Sequence, residues 1–192
     1  MKVNFSHYEY MTQHTGQWSK IIALVNSQDD IGVMLRAHLL LEKSLEAWCI
    51  CASGNDMFFA DFGPDTVLNF AAKNQLAKNF GLSESLRKFI SKFNRFRNDR
   101  AHRIESMDIQ QNEIDSLTSL MRCDYPEDML SMDVFGLEVA ESRKVYFKDN
   151  STSLRDKLIM LFSMLLIRMN KEAKLLALKQ GYQQNYYGHD MK

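Results

Sequence analysis

The chain has 192 residues, 45% of them hydrophobic and 11% aromatic, enough for one globular domain with a sizeable core, alone or with an appendage. Its 24 basic and 24 acidic side chains cancel, which excludes attraction of polyanions by the overall field and leaves that task to a local patch. The 3 cysteines (Cys49, Cys51, Cys123) form no Cys-x-x-Cys pair and no signal peptide precedes them, so the expectation is a reducing cytoplasm with free, buried thiols.

With only 2 prolines and 8 glycines, the chain offers few breaks and reads as mostly helical. The first dozen residues specify no element. From Gln17 to Asn26, Trp18, Ile21, Ile22 and Val25 recur at helical spacing. Asp29 and Asp30 supply N-cap chemistry for a long helix to about Ala52, with an apolar stripe through Met34, Leu35, His38, Leu41, Leu45, Trp48 and Cys49. Gly54-Asn55-Asp56 ends it, and a loop bearing Phe58, Phe59 and Phe62 follows.

Pro64 opens a shorter helix that Gly81 closes as the residue just past its end. Ser83 caps the next, which carries Leu86, Phe89, Ile90, Phe93 and Phe96 on one face. Asp108 to Arg122 is amphipathic through Ile109, Ile114, Leu117, Leu120 and Met121. Residues 124–150 leave three readings open, with Met129–Val139 and Arg143–Phe147 as short strands, an irregular excursion or part of a helix. Thr152 or Ser153 starts a final helix to about Lys179. Its run from Leu158 to Ile167 is interrupted only by Ser163 and reaches about half the roughly 20 residues that span a bilayer, so it is a core helix and no membrane span is expected. The fold class is all-α, an antiparallel helical bundle over residues 1–180, with a flexible tail at 181–192.

Charge concentrates in one place. Arg87, Lys88, Lys92, Arg95, Arg97, Arg100 and Arg103 share a stretch whose only acid is Asp99, a formal +6. The phenylalanines between them recur at core spacing, so the cations project from the remaining faces. A polyanion-binding face and a merely solvated one are both readings of that pattern.

The stretch ends in Arg97-Asn98-Asp99-Arg100-Ala101-His102. RNA is cut without metal when a base removes the 2′-hydroxyl proton and that oxygen attacks the adjacent phosphate. His102 is the candidate base and Arg97 the candidate stabiliser of the developing charge; Asn98, four residues before His102, orients the imidazole or holds a phosphate. Lys92, Arg95, Arg100 and Arg103 are the candidate RNA-binding residues. The leaving 5′-oxygen also needs an acid, and one motif has one histidine, so the chemistry predicts a homodimer that apposes two motifs.

This hexapeptide resembles the signature of the HEPN superfamily, in which four to six residues intervene between an arginine, commonly followed by a polar residue, and a histidine. Arg36-Ala37-His38-Leu39-Leu40-Leu41-Glu42 resembles the long second-helix pattern in related helical families, and Lys73-x-x-Leu76-Ala77-x-x-x-Gly81-Leu82 the short helix before the motif. The resemblance covers about residues 30–105. It implies a helical bundle that dimerises through the motif helices and metal-independent endoribonuclease activity in toxins and defence systems, with Arg97 and His102 catalytic, Asn98 supporting and an antitoxin or defence protein as partner. The tyrosine that some members carry two residues after the histidine is Ile104 here. The layout also resembles mannitol-operon-repressor-like helical proteins, for which the expectation is a non-catalytic, RNA- or protein-binding regulator.

No cofactor or metal site is expected. His38 and Glu42 stand four apart, a spacing open to metal ligation, but without a second pair they read as a core or interface pair.

Overall fold

In the computed structural model the described residues are 3–14, 20, 23–27, 29–60, 62–63, 66–101, 108–122, 135–139 and 143–179. Half of the expected helix at 17–26 lies outside them, as do Pro64, His102, Arg103, Ile104, Cys123, the start of the first expected strand and the tail from 181.

The described chain forms an all-α bundle with one small hairpin. The helices are α1 (Phe5–Glu9), α2 (Asp30–Ser53), α3 (Phe70–Asn79), α4 (Glu84–Ala101), α5 (Gln111–Arg122) and α6 (Leu154–Lys179). A π-helical turn, Tyr10–His14, extends α1, so the N-terminal residues that specified no element by spacing are helical. Strands β1 (Gly136–Val139) and β2 (Arg143–Tyr146) pair antiparallel, with Gly136 opposite Tyr146 and Val139 opposite Arg143. Of the three readings for 124–150, the hairpin is the one found over these residues.

Local chemistry sets most helix ends. The Asp29 carboxylate accepts from the Gly32 backbone N–H, and a side chain at Gly32 would collide with that cap. Ser83 Oγ accepts from Leu86 N at 3.4 Å to start α4, and Ser153 Oγ accepts from Asp156 N at 3.1 Å to start α6. Helix α3 begins at Phe70 rather than near Pro64, because the Asn69 side-chain oxygen accepts from Ala72 N at 2.9 Å and satisfies the first orphan donors there. Its end is as expected. Gly81, at φ +98°, donates to Lys78 O while Leu82 N donates to Ala77 O, both at 3.0 Å, a left-handed closure suited to glycine.

One hydrophobic cluster draws on every helix and on β2. Trp48, Phe89, Phe93 and Phe162 are nearly inaccessible to solvent; the Phe93 and Phe162 rings lie 6.1 Å apart and Tyr8 meets Trp48 edge-on at 5.7 Å. Each such side chain contributes about 1.5–3 kcal/mol of burial. Leu158 to Leu165 of α6 are all buried in this core, and no helix among the described residues is long and apolar enough to cross a membrane. Leu35, expected on the buried stripe of α2, is instead exposed beside Leu39; they sit at the edge where no described helix covers α2.

Candidate functional site

Helix α4 positions the motif, and its two faces have different jobs. At about 100° per residue, Phe89, Ile90, Phe93 and then Arg97 and Arg100 fall in one inward sector. Packing of the first three against the core fixes the helix rotation, and so directs where Arg97 points. Arg97 is half-buried. Its Nη1 donates to Asn98 Oδ1 at 3.0 Å, and its buried Nε has no hydrogen-bond partner among the described residues. The structure thus brings Arg97 and Asn98 together as a guanidinium–amide pair on the last turn of α4.

Asn94, one turn earlier, links this end of α4 to α2. His38 Nε2–H donates to Asn94 Oδ1 at 2.9 Å, and because that oxygen only accepts, the imidazole carries its proton on Nε2. The ring is buried and stacks on Phe70 at 4.2 Å. Burial holds the His38 pKa below its ordinary value; the Asn94 hydrogen bond opposes this, the nearby positive charge of Arg97 adds to it, and Glu42 opposes it. His38 is therefore a neutral neighbour of Arg97. Glu42 is not its partner: that carboxylate accepts from Lys73 Nζ at 2.7 Å, and Lys73 also reaches Glu46 at 2.6 Å.

Arg100 corrects an expectation. Its guanidinium, with the side chain only 8% exposed, forms a two-pronged ion pair with Glu113 of α5 and donates to the Asp108 carbonyl at 2.8 Å and the Phe96 carbonyl at 3.2 Å. Glu113 in turn accepts from Gln110 N at 2.9 Å, capping α5. A cation so enclosed is a clasp between α4 and α5 and is not free to bind phosphate. The same clasp, with Asp30 Oδ2 accepting from Ile109 N at 3.1 Å, holds residues 108–110 out of α5, which starts at Gln111 rather than Asp108.

The basic run is also less uniform than its sequence. Arg87 pairs with Glu84 at 2.6 Å and Arg95 approaches Asp99 at 3.8 Å, so acids three and four residues away lace part of the face. Lys88 and Lys92 form no ion pair among the described residues. With Ser91, Arg95, Gln110 and Asn112 they line a groove of about 580 Å³ between α4 and the start of α5. Lys92 and Arg95 are thus together, on a different side of α4 from Arg97. His102 and Arg103 lie outside the described residues.

Sequence spacing missed two members of this neighbourhood. Asn94 was legible in principle, since it precedes Arg97 by three and Asn98 by four. Lys88, assigned only to the charged run, has the same spacing relation to Lys92. Among the described residues no group of three or more His, Cys, Asp or Glu is placed to hold a metal. Cys49 and Cys51 are free and buried, their thiols pushed up to about 12 chiefly by burial, which makes them poor nucleophiles.

No family model, curated protein or solved structure matches this chain. What it does must therefore be argued from these residues.

Proposed function

We propose that the protein is a metal-independent endoribonuclease of a toxin or defence system, working as a homodimer in a reducing cytoplasm. His102 takes the proton of a 2′-hydroxyl, the freed oxygen attacks the adjacent phosphorus, and the 5′-oxygen leaves. The products are a 2′,3′-cyclic phosphate and a 5′-hydroxyl, the latter receiving its proton from the imidazolium of a second copy of His102 across the two-fold axis. Arg97 stabilises charge on the phosphoryl oxygens and Asn98 fixes the Arg97 guanidinium. Lys92, Arg95 and Arg103 hold the RNA. With Ile104 in place of tyrosine, modification at that position has no acceptor hydroxyl.

The observation that carries this reading is the Arg97–Asn98 pair: a half-buried guanidinium that, unlike Arg100, meets no carboxylate among the described residues, five residues before a histidine. The HEPN-like spacing of the motif supports it. Neutral His38 beside Arg97 adds no second positive charge there.

The test is cleavage of mixed RNA in EDTA by the wild-type protein and its His102→Ala and Arg97→Ala variants. The expected loss is about 100- to 10,000-fold for His102→Ala, the usual contribution of a positioned proton carrier. Equal cleavage by all three sinks the assignment.

A non-catalytic, RNA- or protein-binding regulator is the second reading, favoured by the separation of the Lys88–Lys92 ladder from Arg97 around α4. Binding of RNA without cleavage by any of the three proteins supports it.

A further inference from the structure

The groove between α4 and α5 has a composition that the ribonuclease reading alone does not require. Lys88, Lys92 and Arg95 recur at intervals of four and three residues, so they stand in one row along α4. Their seven-residue span is roughly 10 Å of helix axis. A single phosphate cannot touch all three; a chain of phosphates can.

The opposing wall is polar. Gln110 and Asn112 face the row, with Ser91 between its cations. Arg100 and Glu113 also line the groove, but they neutralise each other in the clasp, so the field is set by Lys88, Lys92 and Arg95 against Asp99 alone. The Arg95–Asp99 contact is long, at 3.8 Å, and its side chains are 80% and 54% exposed. So exposed a pair contributes little, and a phosphate oxygen readily takes its place. Among the described residues only one aromatic ring, half-buried Phe96, touches the groove, which therefore offers no platform for stacking successive bases.

The groove is also not where Arg97 points. Counting about 100° per residue, Lys88, Lys92 and Arg95 lie roughly 140–180° around α4 from Arg97.

We propose that this groove is a backbone track: it holds the phosphodiester chain of a nucleic acid at Lys88, Lys92 and Arg95, away from the bond to be cut and without reading its bases. The nucleic-acid class of its ligand rests on the ribonuclease reading. A track of this kind makes affinity depend on polymer length, because only a strand long enough to reach both faces of α4 feels it. It is indifferent to the 2′-hydroxyl, so it holds RNA and DNA alike, and selection for RNA falls to the chemical step.

The experiment measures binding of a 20-nucleotide single-stranded RNA, a DNA of the same sequence, a dinucleotide and inorganic phosphate between 50 and 200 mM salt. It compares the full-length protein carrying His102→Ala, which leaves the ligand uncut, with the same protein also carrying Lys88→Gln, Lys92→Gln and Arg95→Gln. Melting temperatures of the two proteins are compared alongside, and all three substitutions are at solvent-accessible positions. If the track exists, the slope of log affinity against log salt falls by about 2 for both long strands, since each phosphate contact on a single strand contributes about 0.7. Dinucleotide and phosphate binding then change less than twofold. An unchanged slope, no binding of either long strand at 50 mM salt, or a loss confined to RNA overturns the track. An equal loss for the dinucleotide also overturns it, because the groove would then be the cleavage pocket itself. Persistent cleavage of RNA by the His102→Ala protein refutes His102 as the base of the proposed ribonuclease, while the salt slope on the DNA strand, which has no 2′-hydroxyl to attack, still reports on the track.

Discussion

Arg100 and Lys92 are both cations of α4, eight residues apart, yet the fold uses them in opposite ways. Arg100 continues the inward sector begun by Phe89 and Phe93 and is enclosed by Glu113 and two backbone carbonyls. Lys92 belongs to the outward row and has no carboxylate partner among the described residues. A cation whose two terminal nitrogens are taken up by an acid and backbone carbonyls acts on folding, whereas one facing a groove acts on ligands. The residue type alone does not separate the two; its angle around the helix and the presence of an acid on the next helix do.

That contrast is open to direct attack. Phe93→Ala removes the inward anchor at a fully buried site and is expected to cost about 3–5 kcal/mol in urea or guanidinium unfolding. A loss under 1 kcal/mol would mean that the rotation of α4 is set elsewhere.

Next in size is Arg100→Ala, which strands Glu113 and is expected to cost about 3 kcal/mol of stability. Weaker RNA binding with unchanged stability would return Arg100 to the phosphate-binding set and break the comparison.

Lys73 offers a control away from α4. It is held between Glu42 and Glu46 and lies over the Phe59 ring at 5.6 Å. Lys73→Met is expected to cost about 2 kcal/mol, less than a fully enclosed pair because its surroundings are partly open. Burial alone would raise the Glu46 pKa, but hydrogen bonds from Lys43 and Lys73 outweigh it and hold the carboxyl below its ordinary value. Its contribution is present above the ordinary glutamate pKa and disappears as the pH falls through the depressed one. Burial would lower the Lys73 pKa, but the bonds to Glu42 and Glu46 raise it, so that contribution holds below the ordinary lysine value and is lost as the pH rises through the elevated one. Unfolding curves of Lys73→Met should lack the alkaline part and keep, through Lys43, a share of the acid part.

His38 gives a smaller effect with a distinct pH window. Because its folded-state pKa is lowered, the unfolded chain binds the proton more readily, and stability declines as the pH falls from the ordinary histidine value through the lowered one. His38→Gln has no titratable ring, and its acid-side slope should be shallower. An identical slope would show that Arg97 and burial do not bear on this imidazole as described.

Lys92→Gln should move stability by less than about 0.5 kcal/mol, as expected for an outward surface change. A larger loss would place Lys92 among the folding residues.

The parts of the fold that the sequence expressed well are those decided within a turn or two of chain. Ser83, Ser153, Asp29 and Gly81 act on backbone groups three residues away, so spacing suffices to find them. Asn69 is equally local, but a proline at a plausible first position drew the expected start of α3 away from it. Long-range partners are another matter. Glu113 reaches Arg100 across 13 residues and Lys73 reaches Glu42 across 31, and no local pattern distinguishes those acids from solvated ones. The exposure of Leu35 had the same cause, since the face a helix buries depends on which neighbours cover it. For the candidate site, the pairing of Arg97 with Asn98 follows from adjacency, while the contact of Asn94 with His38 joins residues 56 apart.

Asp30 adds a matter of timing. One of its carboxylate oxygens receives the backbone N–H of Ile109, 79 residues later, and the other receives Arg155, 125 residues later. A ribosome makes roughly 5–20 residues each second, so several seconds pass between the appearance of Asp30 and that of Arg155. Through that interval the nascent chain has the motif helix but not the last brace of the segment that follows it. The order of synthesis thus puts the closing of this corner late in folding, after the core-forming residues of α1 to α5 have been made and together with the arrival of those of α6.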